Sequence, residues 1–202
     1  MYRSALYPTT EQEAESFVAG QRHGYLIATA PGGHPQVSVL PFVKNGDQIE
    51  LHCVQEDETF AAVRANPLVT FFVSDFLAFS RHDWVEPLNA SRATLNFKAV
   101  SYACEATTST DPRDVAAALK TLLELYEPGA EYEPLRDGDF YGSRLRRLGV
   151  VRLRILDTEA KFKVGPAAPA AIKRQVIAGL RGRGEPGDGR AADVIEAALP
   201  TD

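Results

Sequence analysis

Residues 93–106, Ala-Thr-Leu-Asn-Phe-Lys-Ala-Val-Ser-Tyr-Ala-Cys-Glu-Ala, constrain this chain more than any other stretch. One parity carries Leu95, Phe97, Ala99, Ser101 and Ala103. The other carries Thr94, Asn96, Lys98, Val100, Tyr102 and Cys104. Successive side chains of a strand point to opposite faces, so the segment reads as one long strand with an apolar face and a mixed face. Such a strand is either an ordinary sheet member with one wet face, or part of a barrel or curved sheet whose mixed face meets a ligand, a partner or water.

The neighbouring segments decide what it can pair with. Thr10 and Glu13 have capping-box spacing, and Ala14, Phe17 and Val18 form the buried stripe of a first helix. Residues 25–30 and 36–43 predict two strands around a Pro31-Gly32-Gly33-His34 turn. Asn45-Gly46 predicts a second tight turn before a third strand at 48–54, giving an antiparallel meander. A short helix follows the acidic run Glu56-Asp57-Glu58 and stops at Asn66-Pro67. Residues 68–74 predict a fourth strand, continuing toward Phe79, and 80–92 a loop around Trp84. Beyond the long strand, Asp111-Pro112 starts a helix that keeps apolar spacing through Tyr126. A short helix at 140–148 leads to a strand at 150–156, closed by 161–164, and helices around 172–180 and 191–199 end the chain.

Six antiparallel strands with helices in the crossovers predict a mainly β fold with peripheral helices: a small barrel over residues 1–165 and a helical extension, 166–202, packed on it. The length of 202 residues suits one such core. No apolar run approaches the ~18 residues of a membrane span, and residues 1–8 lack an apolar signal core, so a cytoplasmic protein with no membrane partner is expected.

Several constellations bear on chemistry. The net charge of −5 gives no global reason for nucleic-acid binding. Arg144, Arg146, Arg147, Arg152 and Arg154 form a basic cluster that reads as a solvated sheet face or, alternatively, as an anion or nucleic-acid surface; no helix-turn-helix accompanies it. His23, His34, His52 and His82 are scattered without metal-ligand spacing. Ser80-Arg81-His82-Asp83 holds triad residue types, but adjacent residues rarely meet triad geometry, so it reads as a polar loop. Cys53 and Cys104 fall inside predicted strands and are expected as buried reduced thiols. Lys161 and Lys163 flank Phe162; with Lys98 they could hold a phosphate, or they could be edge lysines that discourage strand pairing.

Taken in order, several segments resemble the PaiB-type family of FMN-binding negative transcriptional regulators, within the flavin split-barrel group of pyridoxamine-phosphate oxidases. After Met1-Tyr2, residues 24–29 resemble its first strand, Ser38-Val39-Leu40-Pro41-Phe42 its Thr-His-Leu-Pro-Phe, and His52 the histidine ending its third strand. Residues 78–84 are similar to Ala-Tyr-Ile-Ser-Pro-Ser-Trp, and Ala93-Thr94-Leu95-Asn96-Phe97 to Pro-Thr-Trp-Asn-Tyr. Glu159-Ala160-Lys161-Phe162-Lys163-Val164 is similar to Glu-Gly-Lys-Phe-Lys-Leu, and residues 176–180 to Val-Ile-x-Gly-Leu.

The resemblance implies a six-stranded antiparallel split barrel that binds FMN at a homodimer interface. Ser38 and Leu40 would line the isoalloxazine ring. His52, Cys53 and Thr59 would lie near the ribityl chain or phosphate, Asn96 and Lys98 would approach across the interface, and Lys161 and Lys163 would supply positive charge. Redox chemistry would come from the flavin. Three departures stand out. Gln55-Glu56-Asp57-Glu58-Thr59-Phe60 replaces Arg-Ala-Asn-Pro-Gln-Trp, where related barrels hold the phosphate with Ser-Arg-Lys. Gly165-Pro166-Ala167-Ala168 replaces Ser-Gln-Asn-Arg, and Ser38-Val39 replaces Thr-His. An exposed carboxylate ~4 Å from a phosphate opposes it by around 1 kcal/mol or more. The alternatives are therefore a dimeric regulator or ligand-binding barrel that has left flavin behind, and a haem barrel using His23 or His82.

Overall fold

The computed structural model describes residues 5–199, so Met1-Tyr2 lie outside the described residues. Its elements are α1 (Glu11–Ala19), β1 (Gly24–Ala28), β2 (Gln36–Leu40), β3 (Val43–Asn45), β4 (Gln48–Val54), α2 (Glu58–Ala65), β5 (Leu68–Ser80), β6 (Thr94–Ser109), α3 (Pro112–Tyr126), α4 (Gly142–Leu145), β7 (Leu148–Lys163), α5 (Ala170–Arg183) and α6 (Asp188–Ala197). Single 3-10 turns at His82–Trp84 and Ala90–Arg92 interrupt the link between β5 and β6.

The strands form one seven-stranded sheet in the order β2-β1-β5-β6-β7-β4-β3, open at β2 and β3, rather than six strands in a closed barrel. Mainly antiparallel sheet with helices agrees with a split barrel. The seventh strand arises at Pro41, which cannot donate to a ladder, so the strand expected at 36–43 divides into β2 and β3. The two hairpins consequently separate, β2 pairing β1 with Ser38 opposite Leu26, and β3 pairing β4 with Lys44 opposite Ile49. The expected meander is thus two hairpins at opposite edges. Elsewhere strands are longer than their apolar pattern suggests. No glycine or proline interrupts 68–80 or 150–163, so polar residues such as Ser74-Asp75 and Asp157-Thr158-Glu159 remain within β5 and β7.

Burial along β6 departs from the expected faces. Asn96, Val100, Tyr102, Cys104 and Ala106 are buried, while of the apolar parity only Ala99 is buried and Leu95 and Ala103 are exposed. The mixed parity carries the larger packing groups Val100 and Tyr102, and the polar member Asn96 is satisfied internally, as described below.

The chain divides into two compact units, and three strands contribute to both. One unit comprises residues 18–73 and 101–159. There α3, capped by Asp111 accepting from Arg113 N, packs Val115, Ala116 and Ala118 against Leu145 and Val150. The Phe60 ring of α2 reaches β7 at Gly149, where an added Cβ would stand 2.4 Å from its tip. Only glycine allows α2 to sit this close.

The other unit comprises residues 5–17, 74–100 and 160–199. Its core joins Leu77 and Ala78 of β5 to Val176, Ile177 and Leu180 of α5 and Ala191, Ala192 and Ile195 of α6. The α5–α6 turn is fixed by Arg183, which donates to both oxygens of buried Asp188 at 2.8 and 2.6 Å and lies 5.1 Å over the Trp84 ring. The anticipated capping box closes α1, with Thr10 N donating to Glu13 at 2.7 Å and Glu13 N to Thr10 Oγ1 at 3.2 Å. Among the described residues, no helix is long and apolar enough to cross a membrane.

Candidate functional site

The site residues read from the sequence fall into two groups, one in each unit. Ser38, Leu40, His52, Cys53 and Thr59 belong to the first unit, and Asn96, Lys98, Lys161 and Lys163 to the second.

In the first group, α2 begins at an extended residue, Asp57, whose Oδ1 accepts from Thr59 N at 2.8 Å. This is an ordinary N-cap: the carboxylate satisfies a backbone donor that the helix cannot. Ser38 of β2 reaches the same place. Its Oγ lies 2.9 Å from Asp57 Oδ2 and 2.8 Å from Thr59 Oγ1. An ionised carboxylate only accepts, so Ser38 donates its single hydrogen to Asp57 and accepts from Thr59. Ser38, Asp57 and Thr59 therefore form a closed hydrogen-bond cluster with an anion at its centre. Asp57 is the residue that sequence reasoning missed as a builder: the Asp-x-Thr spacing at a helix start was its available signal.

Two strand residues of β4 complete this group. His52 is half-buried opposite Val150, and burial holds its imidazole below the ordinary histidine value, with Glu50 pulling weakly the other way. The Cys53 thiol is buried, and desolvation, reinforced by the charge of Asp57, pushes it up to about 12. Cys104 is pushed up by burial to about 11. Both stay protonated and unreactive at neutral pH. Leu40 is half-buried at the end of β2.

In the second group, Asn96 is fully buried. Its amide donates to Ala78 O at 3.1 Å and Ser80 Oγ at 2.7 Å, while its Oδ1 accepts from Gly165 N at 2.8 Å. Both amide hydrogens are spent inside the protein, so Asn96 pins β5, β6 and Gly165, two residues beyond β7, together. Gly165 meets it at φ 72, a left-handed conformation that other residues seldom adopt. Around this pin stand cations. Lys98 lies 5.2 Å over the Phe162 ring, and Phe162 in turn packs edge-on to Phe17 at 5.3 Å. Lys163 is half-buried, and burial together with the neighbouring charge of Lys161 lowers its ammonium below the usual lysine value. Both effects would be relieved by an anion placed beside it.

The remaining polar motifs are engaged. Arg81 forms a two-pronged pair with Asp83 while Ser80 is buried on Asn96, so the 80–83 segment is structural. Four of the five clustered arginines have acidic partners: Arg152 with Glu50, Arg154 with Glu105, Arg146 with Asp137 and Arg147 with Glu56.

Fit to an FMN phosphate differs between the groups. At the α2 end the Thr59 N–H and the Ser38 hydroxyl already serve Asp57, so a dianion there meets occupied donors and a resident carboxylate; it does not fit. Beside Lys161 and Lys163 it would meet positive charge.

Comparison with known proteins gives the following. Residues 1–157 match the family model described as "Putative FMN-binding domain". The fold is similar to the flavocytochrome Anf3 of Azotobacter vinelandii, with TM-score 0.64 and 19% identity over 84% of this chain and 75% of that one. It is similar to a FAD and heme binding protein of Mycobacterium smegmatis, with TM-score 0.61 and 14% identity over 85% and 79% of the respective chains. A conserved hypothetical protein of Mycobacterium tuberculosis aligns at TM-score 0.57 and 17% identity, over 81% of this chain and 91% of that one. Curated protein sequences yield no significant match.

Proposed function

This chain belongs to the family described as "Putative FMN-binding domain", and from that premise we propose that it binds FMN, with Lys161 and Lys163 at the end of β7 receiving the phosphate. The observation carrying this reading is the pair Lys161 and Lys163, half-buried on one parity at the end of β7, in a chain whose other phosphate candidate is sealed by Asp57. When bound, the flavin supplies hydride or single-electron transfer; the protein binds, orients and shields it. Asn96 acts as a positioning residue, holding the strand ends from which the lysines project.

We prefer a flavin-dependent oxidoreductase to a PaiB-type transcriptional regulator, because four of the five arginines that would meet DNA have acidic partners. A homodimer remains part of the proposal. Its support is the pair Val37 and Val39, each more than half exposed on the edge strand β2.

The test compares FMN with riboflavin by fluorescence quenching on purified protein. FMN should bind more tightly, and Lys161→Ala with Lys163→Ala should lower its affinity about tenfold while leaving riboflavin unchanged. Colourless protein with no quenching by either flavin would reject the reading. A double variant that binds FMN normally would move the phosphate elsewhere.

A further inference from the structure

The second unit holds a cavity of about 560 Å³ that the flavin reading does not use. It opens between the segment before α1, the end of β7, and helices α5 and α6 of that unit, and its volume lies within the roughly 300–1,000 Å³ of small-molecule sites. Its walls are mainly apolar and include Phe162, Val164 and Val194, and three charged groups among the described residues line it with them: Lys98, Lys173 and Glu13.

The charges are not equivalent. Glu13 accepts from both Thr10 N and Thr10 Oγ1 at 2.7 Å, and these bonds hold its carboxyl below the ordinary glutamate value, ahead of a smaller contribution from Lys98. It stays ionised and committed to the cap of α1, so it can offset one lysine but not two. The lining therefore carries a net charge of about +1 at neutral pH. A smaller hollow of about 440 Å³ shares Glu13, Lys98 and Phe162 and adds Phe17, so Lys98 borders both hollows.

A dianionic phosphate would meet Glu13 unfavourably; a monoanion balances the lining. Phe162, which lines the cavity with Lys98 over its ring, offers an aromatic surface to a flat ligand. We infer that this cavity binds an aromatic carboxylate, its ring against Phe162, Val164 and Val194 and its carboxylate between Lys98 and Lys173. The inference does not depend on flavin binding.

Isothermal titration with 2-naphthoate tests it, with 2-naphthalenemethanol as the uncharged control. Saturable one-to-one binding of naphthoate is expected, with the alcohol about tenfold weaker. Lys98→Met and Lys173→Met should each weaken naphthoate at least several-fold and leave the alcohol unchanged, and Lys173→Met should leave FMN affinity as it was. Val194→Trp should block both probes by filling the cavity, and a urea midpoint on each variant separates loss of binding from loss of fold. Unsaturable heats, equal binding by acid and alcohol, or lysine variants that bind naphthoate as the parent does would overturn the inference. So would competitive displacement by FMN, which would assign the cavity to the flavin instead.

Discussion

The start of α2 and the end of β7 are both polar places on a β scaffold, but they solve the problem of polarity in opposite ways. At α2 the charge is internal: Asp57 receives Thr59 N and the Ser38 hydroxyl, and the cluster has no donor left for an incoming anion. At β7 the positive charge of Lys163 is disfavoured by burial and by Lys161, so it gains from an anion supplied from outside. A polar cluster that satisfies itself contributes structure, whereas two neighbouring like charges favour an anion between them.

The largest effect that bears on this contrast comes from the pin that holds the lysine end. Asn96→Leu removes both donors and the acceptor while keeping the volume, leaving Gly165 N, Ala78 O and Ser80 Oγ buried without their partner. The expected loss is about 3 kcal/mol, the sum of several unsatisfied buried groups. Asn96→Asp, which keeps the acceptor for Gly165, should sit between the two. A urea midpoint within about 1 kcal/mol of the parent would mean that the pin is dispensable.

Next comes the support beneath the α2 end. Gly149→Ala places a Cβ 2.4 Å from the Phe60 ring, so α2 must move or the ring must turn. About 2 kcal/mol of destabilisation is expected from overpacking of this kind. Adding Phe60→Leu should recover part of it, because the smaller side chain gives the new methyl room. If the double variant is no more stable than the single one, the contact does not set the position of the helix.

Both pins show what sequence could and could not supply. Thr10–Glu13, Asp111-Pro112 and the long strand were legible because local chemistry determines them: a cap needs its acceptor at a fixed spacing, and an alternating run makes a strand. The face of β6 was not legible, because hydropathy ranks Asn96 as polar and Leu95 as apolar, while the fold buries Asn96 through three partners far away in sequence. The same holds for Asp57. As one member of an acidic run it reads as exposed charge; only the return of β2 beside α2 brings Ser38 to it. Strand number was also a matter of context, since Pro41 could be read as a step within one strand or as the divide between two.

Asp57→Ala addresses the contrast directly. Loss of the cap should cost about 1 kcal/mol. It also releases Thr59 N and Ser38. If the phosphate belongs at β7, FMN affinity should not change. Tighter FMN binding in this variant would show that the α2 end is a phosphate site held shut by its own carboxylate.

The smallest effect is a pH dependence at His52. Its folded-state value lies below the ordinary 6.5, first because the ring is desolvated, with Glu50 opposing. The unfolded chain therefore binds a proton more readily than the folded one. The sign follows: stability from this group is fully present above pH 6.5 and is lost as pH falls through the folded value. Urea midpoints between pH 7.5 and 5 should decline, and His52→Gln should flatten that decline without shifting the value at pH 7.5 by much. An unchanged slope in the variant would assign the pH dependence to carboxylates such as Asp188, held low chiefly by the Arg183 hydrogen bonds, whose loss begins only at more acidic pH. The first unit would then be insensitive to pH near neutrality, leaving acid sensitivity to the unit that carries the lysines.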